Sequence, residues 1–200
     1  MRAFIAIDLP EALRTALGCR QADLRSALAL CSSPSSGHVR VRPTGGVRWV
    51  RPEGIHLTLK FLGEVSAAEL DRVIAALTPL GAFSPFRAEV RGFGFFPNTL
   101  RPQVFWARIN APPALAALAT QVDAMVAKLG FPRERRTFSP HLTMARIRTA
   151  APQPALTTIA NESGAGAIGE FEVRRFVLFE SKLQAGKPPE YRKIAGFPAS

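Results

Sequence analysis

The chain has 200 residues, 26 of them Lys or Arg against 15 Asp or Glu, for a formal net charge of +11. An apolar fraction of 47% is ordinary for a folded domain and argues against global disorder, and no apolar run approaches the ~18 residues of a membrane helix. Met1 to Asp8 is too short and too soon acidic for a signal peptide, and the two cysteines, Cys19 and Cys31, cannot build a disulfide framework or a multi-thiolate metal site, so a cytoplasmic protein with reduced thiols is the expectation.

The positive charge is mostly arginine, 21 Arg against 5 Lys. Arginine meets phosphate with a planar fork where lysine offers a point charge. A polyanionic partner is therefore expected, nucleic acid first, although a general Ala and Arg bias accounts for the charge equally well.

In chain order, Phe4–Ile7 reads as a short buried strand. Asp8 and Pro10 turn the chain into a helix whose face carries Leu13, Leu17, Leu24 and Leu28. Residues 31 to 46, rich in Ser, Pro and Gly and holding Arg40 and Arg42, read as a mobile basic insertion. Val47–Val50 and Ile55–Leu62 read as strands. Ser66 and Glu69 form a capping-box pattern, followed by the helical stripe Leu70, Val73, Ile74 and Leu77. Phe86–Phe96 and Val104–Asn110 read as two strands. A third helix carries Leu115, Leu118, Val122, Met125, Val126 and Leu129 and ends near Gly130. His141–Arg148 is a strand, and Ala150–Gly169 is irregular with room for one short helix. Phe171–Leu183 and Tyr191–Phe197 close the chain as strands.

Three landmarks recur in order. Phe4 to Leu13 resembles Phe105 to Leu115 at an offset of 101, His56-Leu57-Thr58 resembles His141-Leu142-Thr143 at 85, and Phe86 to Arg91 resembles Phe171 to Arg175 at 85. The first half reads as the second plus the insertion at 31–46. The expectation is one α+β domain over 1–200, with an internal repeat of roughly 1–100 and 101–200. Its two pseudo-symmetric lobes would each be a mostly antiparallel sheet covered by helices, with the active site in the cleft between them.

Two of the three histidines open the His-Leu-Thr tripeptides; the third, His38, reads as a packing residue. On a strand, residues i and i+2 share a face, so His56 and Thr58 point together, as do His141 and Thr143. Placed across a pseudo-two-fold axis, they bring two imidazoles and two hydroxyls into one cleft. Two imidazoles flanking a phosphorus centre can deliver one proton and accept another, while hydroxyls donate to the non-bridging oxygens. Apart from Glu53, no Asp, Glu or Cys lies within three residues of His56, and none lies near His141, which is a poor metal-ligand set. No metal and no cofactor are expected.

The segments His56 to Glu64 and Ser139 to Arg146, with the opening Arg2 to Pro10, resemble the signatures of the 2H phosphoesterase superfamily, most closely its LigT-like RNA 2′,3′-cyclic phosphodiesterase branch. The resemblance implies hydrolysis of an RNA 2′,3′-cyclic phosphate end to a 2′-phosphate without a metal. It implies that His56 is the proton donor, that His141 is the proton acceptor, and that Thr58, Thr143 and Arg146 bind substrate. Strict alternation, however, places Arg146 on the face opposite His141, so a bulge, a twist or the long side chain must bring it round. The same site also suits RNA end-joining or another cyclic phosphate, and a non-catalytic RNA-binding module is the reading from another class. The arginine runs Arg40–Arg48 and Arg133–Arg136 are expected to border the cleft, and the protein to be a monomer.

Overall fold

Runs of β-branched and aromatic residues bounded by Pro and Gly build nine strands, and longer stripes at helical spacing build four helices, in a computed structural model that describes residues 1–30, 46–148, 154–163, 166–183 and 188–198. In order they are β1 (Arg2–Asp8), α1 (Glu11–Leu30), β2 (Val47–Trp49), β3 (His56–Glu64), α2 (Ala67–Leu77), β4 (Phe86–Phe96), β5 (Val104–Asn110), α3 (Pro113–Ala127), β6 (His141–Ile147), α4 (Pro154–Ser163), β7 (Ala167–Val173), β8 (Arg175–Lys182) and β9 (Glu190–Pro198). The expected insertion, with Cys31, His38, Arg40 and Arg42, lies outside the described residues apart from Gly46. Among the described residues no helix is long and apolar enough to cross a membrane.

The strands form two antiparallel sheets, ordered β3-β1-β8-β9 and β2-β6-β5-β4-β7. The two His-Leu-Thr strands occupy matching places, β3 beside β1 and β6 beside β5. The α+β class and paired antiparallel sheets are as expected, but each sheet takes strands from both halves of the sequence. The helices cross over too: α1 and α4 pack on the sheet of β4 and β7, while α3 sits against β3 and α2 packs on α3. One continuous apolar core runs through both sheets and all four helices.

Three sequence expectations change. The third landmark does not mark equivalent strands, because Phe86 and Phe171 lie on β4 and β7, which hydrogen-bond to each other. The counterpart of β4 is β8, each pairing with the strand next to a motif strand. The β1/β5 match is at an offset of 100, since Ile5 faces Lys60 as Phe105 faces Ala145; one residue of slip would exchange the faces. Finally, Phe171–Leu183 is two strands in different sheets. Phe171, Val173 and Phe176 to Phe179 are all buried, so the apolar run hides the break at Arg174.

The Met144 bulge in β6 is braced from α1. Gln21 is buried on the Leu13, Leu17, Leu24 and Leu28 face, and its Nε2 donates to the Val50 carbonyl at 2.8 Å and the Met144 carbonyl at 3.0 Å. Gln21→Leu keeps the shape and strands one of these acceptors. It should lower unfolding stability by about 1–3 kcal/mol, the usual cost of an unsatisfied buried group, as read from urea denaturation. An unchanged midpoint would mean that the bulge holds without Gln21.

Candidate active site

His56 and His141 stand at the first residues of β3 and β6, and these strands approach each other where the sheets meet. Each ring is fixed in the same way. His56 Nδ1 donates to the Gly54 carbonyl at 2.9 Å, and His141 Nδ1 donates to the Ser139 carbonyl at 2.7 Å. A carbonyl can only accept, so in the neutral ring the proton sits on Nδ1 and the Nε2 lone pair is left for the cleft.

The burial patterns of β3 and β6 agree through seven positions, and each strand carries a bulge after its threonine. Ala6 faces Thr58 while Ile5 faces Lys60, leaving Leu59 over; Trp106 faces Thr143 while Phe105 faces Ala145, leaving Met144 over. Two successive residues then turn inward, and the next turns back toward the cleft. This brings Arg146 to the His141 face, so the bulge supplies the correction that strict alternation required. The matching position on β3 is Phe61, which is 65% exposed.

A cleft of about 1170 Å³ is lined by both histidines, both threonines and Arg146, with Phe61, Tyr191, Arg48 and Arg51 among its other walls. Tyr191, the chain's single tyrosine, and Phe61 had no assigned role from the sequence. Phe61 was legible in principle, because it stands five residues after His56 as Arg146 does after His141. Tyr191 carried no motif. Of the expected arginine borders, Arg48 lines the cleft and Arg40 and Arg42 lie outside the described residues. Arg133, Arg135 and Arg136 are not among the lining residues. Their segment is turned toward α3: Asp123 accepts from Lys60 Nζ at 2.6 Å, from the Glu134 amide at 3.0 Å and from Arg133 at 3.4 Å. Burial pushes the Asp123 carboxyl up, but these hydrogen bonds and the Lys60 charge outweigh it and hold its pKa low. The buried ion pair thus ties β3 to the chain that leads into β6.

Aromatic rings dry the histidines. Phe4 stacks on His56 at 4.6 Å and Tyr191 meets its edge at 5.0 Å; Phe96 meets His141 at 4.9 Å. Burial is accordingly the largest influence on both. It drives His56 down to about 4 against the favourable Gly54 carbonyl and the Asp8 carboxylate, with Arg14 and Arg146 adding to the fall. His141 is lowered by burial and by Arg146, against the Ser139 carbonyl. Burial raises the Tyr191 phenol, and Arg146 counters it. Both imidazoles are therefore neutral at pH 7. Arg146 acts on all three groups and lines the cleft with them.

The family model described as LigT like Phosphoesterase matches residues 37–106 and 109–189. The chain belongs to the LigT-like phosphoesterases. A curated relative from Archaeoglobus fulgidus, named RNA 2′,3′-cyclic phosphodiesterase, is 34% identical over 197 residues, 98% of this chain and 99% of its own. A crystal structure from Thermus thermophilus superposes with a TM-score of 0.74 at 32% identity, covering 99% of this chain and 97% of that one. Escherichia coli LigT in complex with 3′-AMP shares the fold at a TM-score of 0.73 and 24% identity, covering 100% and 98%. Family membership makes this chain a phosphodiesterase, and its paired imidazoles fall within the matched segments.

The buried His56 has a consequence for stability. The unfolded chain takes its proton near the ordinary value of 6.5 and the folded chain only near 4. Stability therefore rises with pH across that window and is lost as pH falls through it. Between pH 7 and about 4.5 this LigT-like protein should lose on the order of 2–3 kcal/mol more than its His56→Gln variant in paired urea titrations. Parallel losses in the two proteins would show that His56 is not held neutral by the fold.

Proposed function

We propose that this LigT-like protein hydrolyses 2′,3′-cyclic phosphates at RNA ends to 2′-phosphomonoesters. The observation that carries the reading is the pair of Nδ1-tethered imidazoles whose Nε2 atoms are left for one cleft shared with two threonines and an arginine. RNA as the substrate draws support from the names of the curated relatives and from the excess of arginine.

In this reaction His141 Nε2 takes a proton from water as its oxygen attacks phosphorus. The bond from phosphorus to the 3′ oxygen breaks, and His56 Nε2–H gives that oxygen its proton, leaving the phosphate on the 2′ oxygen. Thr58 and Thr143 donate to the non-bridging oxygens, and Arg146 offsets their charge. The donor role of His56 is favoured by Asp8, which faces it across the β1/β3 pair; the residue facing His141 is Arg108. Asp8 is itself held by Arg14 and Lys193. A bound phosphate anion supplies the negative charge that lifts His56 from its low value and lets it carry a proton. Both histidines come from one chain, which supports the expected monomer, and an RNA substrate suits the cytoplasm expected from the sequence.

Replacing His56 or His141 with Ala should lower kcat/KM on a nucleoside 2′,3′-cyclic phosphate by on the order of 10²–10⁴. The double variant should be little worse than either single one, because the pair acts as a unit. Thr58→Ala or Thr143→Ala should cost about 10- to 10³-fold. EDTA should leave wild-type turnover unchanged. Near wild-type turnover by folded His141→Ala would abandon the mechanism in favour of an RNA-binding module.

A further inference from the structure

β2 is a three-residue strand at the open edge of the second sheet, beside β6. In its register Arg48 stands directly opposite Arg146. Residues opposite each other in an antiparallel pair share a face, with Cβ atoms about 5 Å apart, and like charges placed so are destabilising. Both side chains are exposed and both line the cleft.

Four other arginines on or beside the strands meet carboxylates: Arg87 pairs with Glu170, Arg91 with Glu89, Arg174 with Glu172 and Arg192 with Glu180. Among the described residues no carboxylate comes within 4.0 Å of Arg48, Arg51 or Arg146. The two carboxylates in the cleft wall, Glu53 and Glu190, form no ion pair with them.

The strand is nonetheless held firmly under this repulsion. Trp49 meets Phe105 edge-on at 5.9 Å on one side of the chain, and Arg25 lies over its ring at 5.1 Å. The Val50 amide donates to the Met144 carbonyl at 2.9 Å and the Arg148 amide to the Gly46 carbonyl at 2.8 Å. The fold therefore sets two arginines opposite each other on one cleft wall, with no carboxylate within 4.0 Å of either among the described residues. An anion with negative charge at two successive points is the partner that relieves this arrangement.

Arg146 returns to the face of β6 that carries His141 and Thr143 and lines the cleft with both imidazoles, which sets it beside the reacting phosphate of the proposed function. Arg48 is one strand farther out. Building on the proposed hydrolysis of RNA ends, we propose that Arg48 forms a second phosphate subsite that binds the phosphodiester one nucleotide 5′ of the cyclic phosphate. The preferred substrate is then an oligonucleotide end rather than a mononucleotide. The selectivity comes from charge on the linkage and is independent of the base.

The test compares kcat/KM on three substrates: uridine 2′,3′-cyclic phosphate, a uridine dinucleotide ending in that cyclic phosphate, and the same dinucleotide with an uncharged methylphosphonate linkage. Wild type should favour the charged dinucleotide over the mononucleotide by about tenfold, the size of one charge-assisted hydrogen bond. The methylphosphonate should bring the ratio near one, and so should Arg48→Ala, mainly through KM, while Arg48→Lys restores part of it. Raising salt should shrink the ratio in wild type only. Equal losses on all three substrates in Arg48→Ala would overturn the subsite and place Arg48 on the reacting phosphate with Arg146. An unchanged ratio, or a wild-type preference that survives the uncharged linkage, would overturn it as well. Failure of the underlying reading has a different signature, wild-type enzyme turning over none of the three. Affinity for the dinucleotide 2′-phosphate, charged or methylphosphonate-linked, then decides the subsite by itself: a drop of about tenfold on Arg48→Ala for the charged form alone upholds it, and no drop overturns it.

Discussion

Each imidazole of the cleft is tied through Nδ1 to the carbonyl two residues before it, and the chemistry available to the site depends on that short tether. It fixes the ring against rotation, selects one neutral tautomer and directs the other nitrogen at the cleft. The tether exists because each histidine is the first residue of its strand, just after the turn that ends at Gly54 or the irregular segment that ends in Ser139-Pro140. Moving either histidine one residue along the strand would give its ring the opposite face and the apolar core. The strands in turn keep their place because Leu57 and Leu142 between the polar residues are fully buried.

Repetition builds the site, and departures from repetition give it direction. The bulges at Leu59 and Met144 are equivalent, so position +5 from each histidine returns to the cleft. One such position is filled by Phe61 and the other by Arg146. Opposite His56 stands Asp8, and opposite His141 stands Arg108. A phosphate in the cleft therefore meets a cation on the β6 side and an apolar ring on the β3 side, so the two imidazoles are chemically unequal despite identical tethers. The ion pair of Lys60 with Asp123 and the Gln21 amide hold these strands from behind, through carbonyls and charges that face away from the cleft.

Much of this was legible in the residues. The helix faces of α1, α2 and α3 followed from apolar spacing, and Ser66 with Glu69 closes the expected capping box. The two His-x-Thr units marked the side chains that share the cleft because period-two alternation is a local property of a strand. Sheet membership was hidden, because it depends on which edges pair across the chain. Phe86 and Phe171 look alike since both strands half-bury an apolar face, and that likeness says nothing about their being neighbours. Arg146 escaped strict alternation because a bulge is set by the partner strand and by a glutamine 123 residues away, neither visible in the motif itself. Tyr191 reaches His56 only through the return of β9 beside β8. Arg133 to Arg136 resemble a nucleic-acid border by composition, yet Asp123 draws that segment toward α3.

The tether makes a statement about proton positions that can be read without substrate. In protein labelled with ¹⁵N at histidine, imidazole nitrogen shifts across a pH titration distinguish the Nδ1–H from the Nε2–H tautomer. Resonances assigned by His56→Gln and His141→Gln should show both rings as Nδ1–H at pH 7, each gaining its second proton only below the ordinary value of 6.5, His56 at about 4. A ring found as the Nε2–H tautomer, or charged at neutral pH in the free protein, would contradict the account.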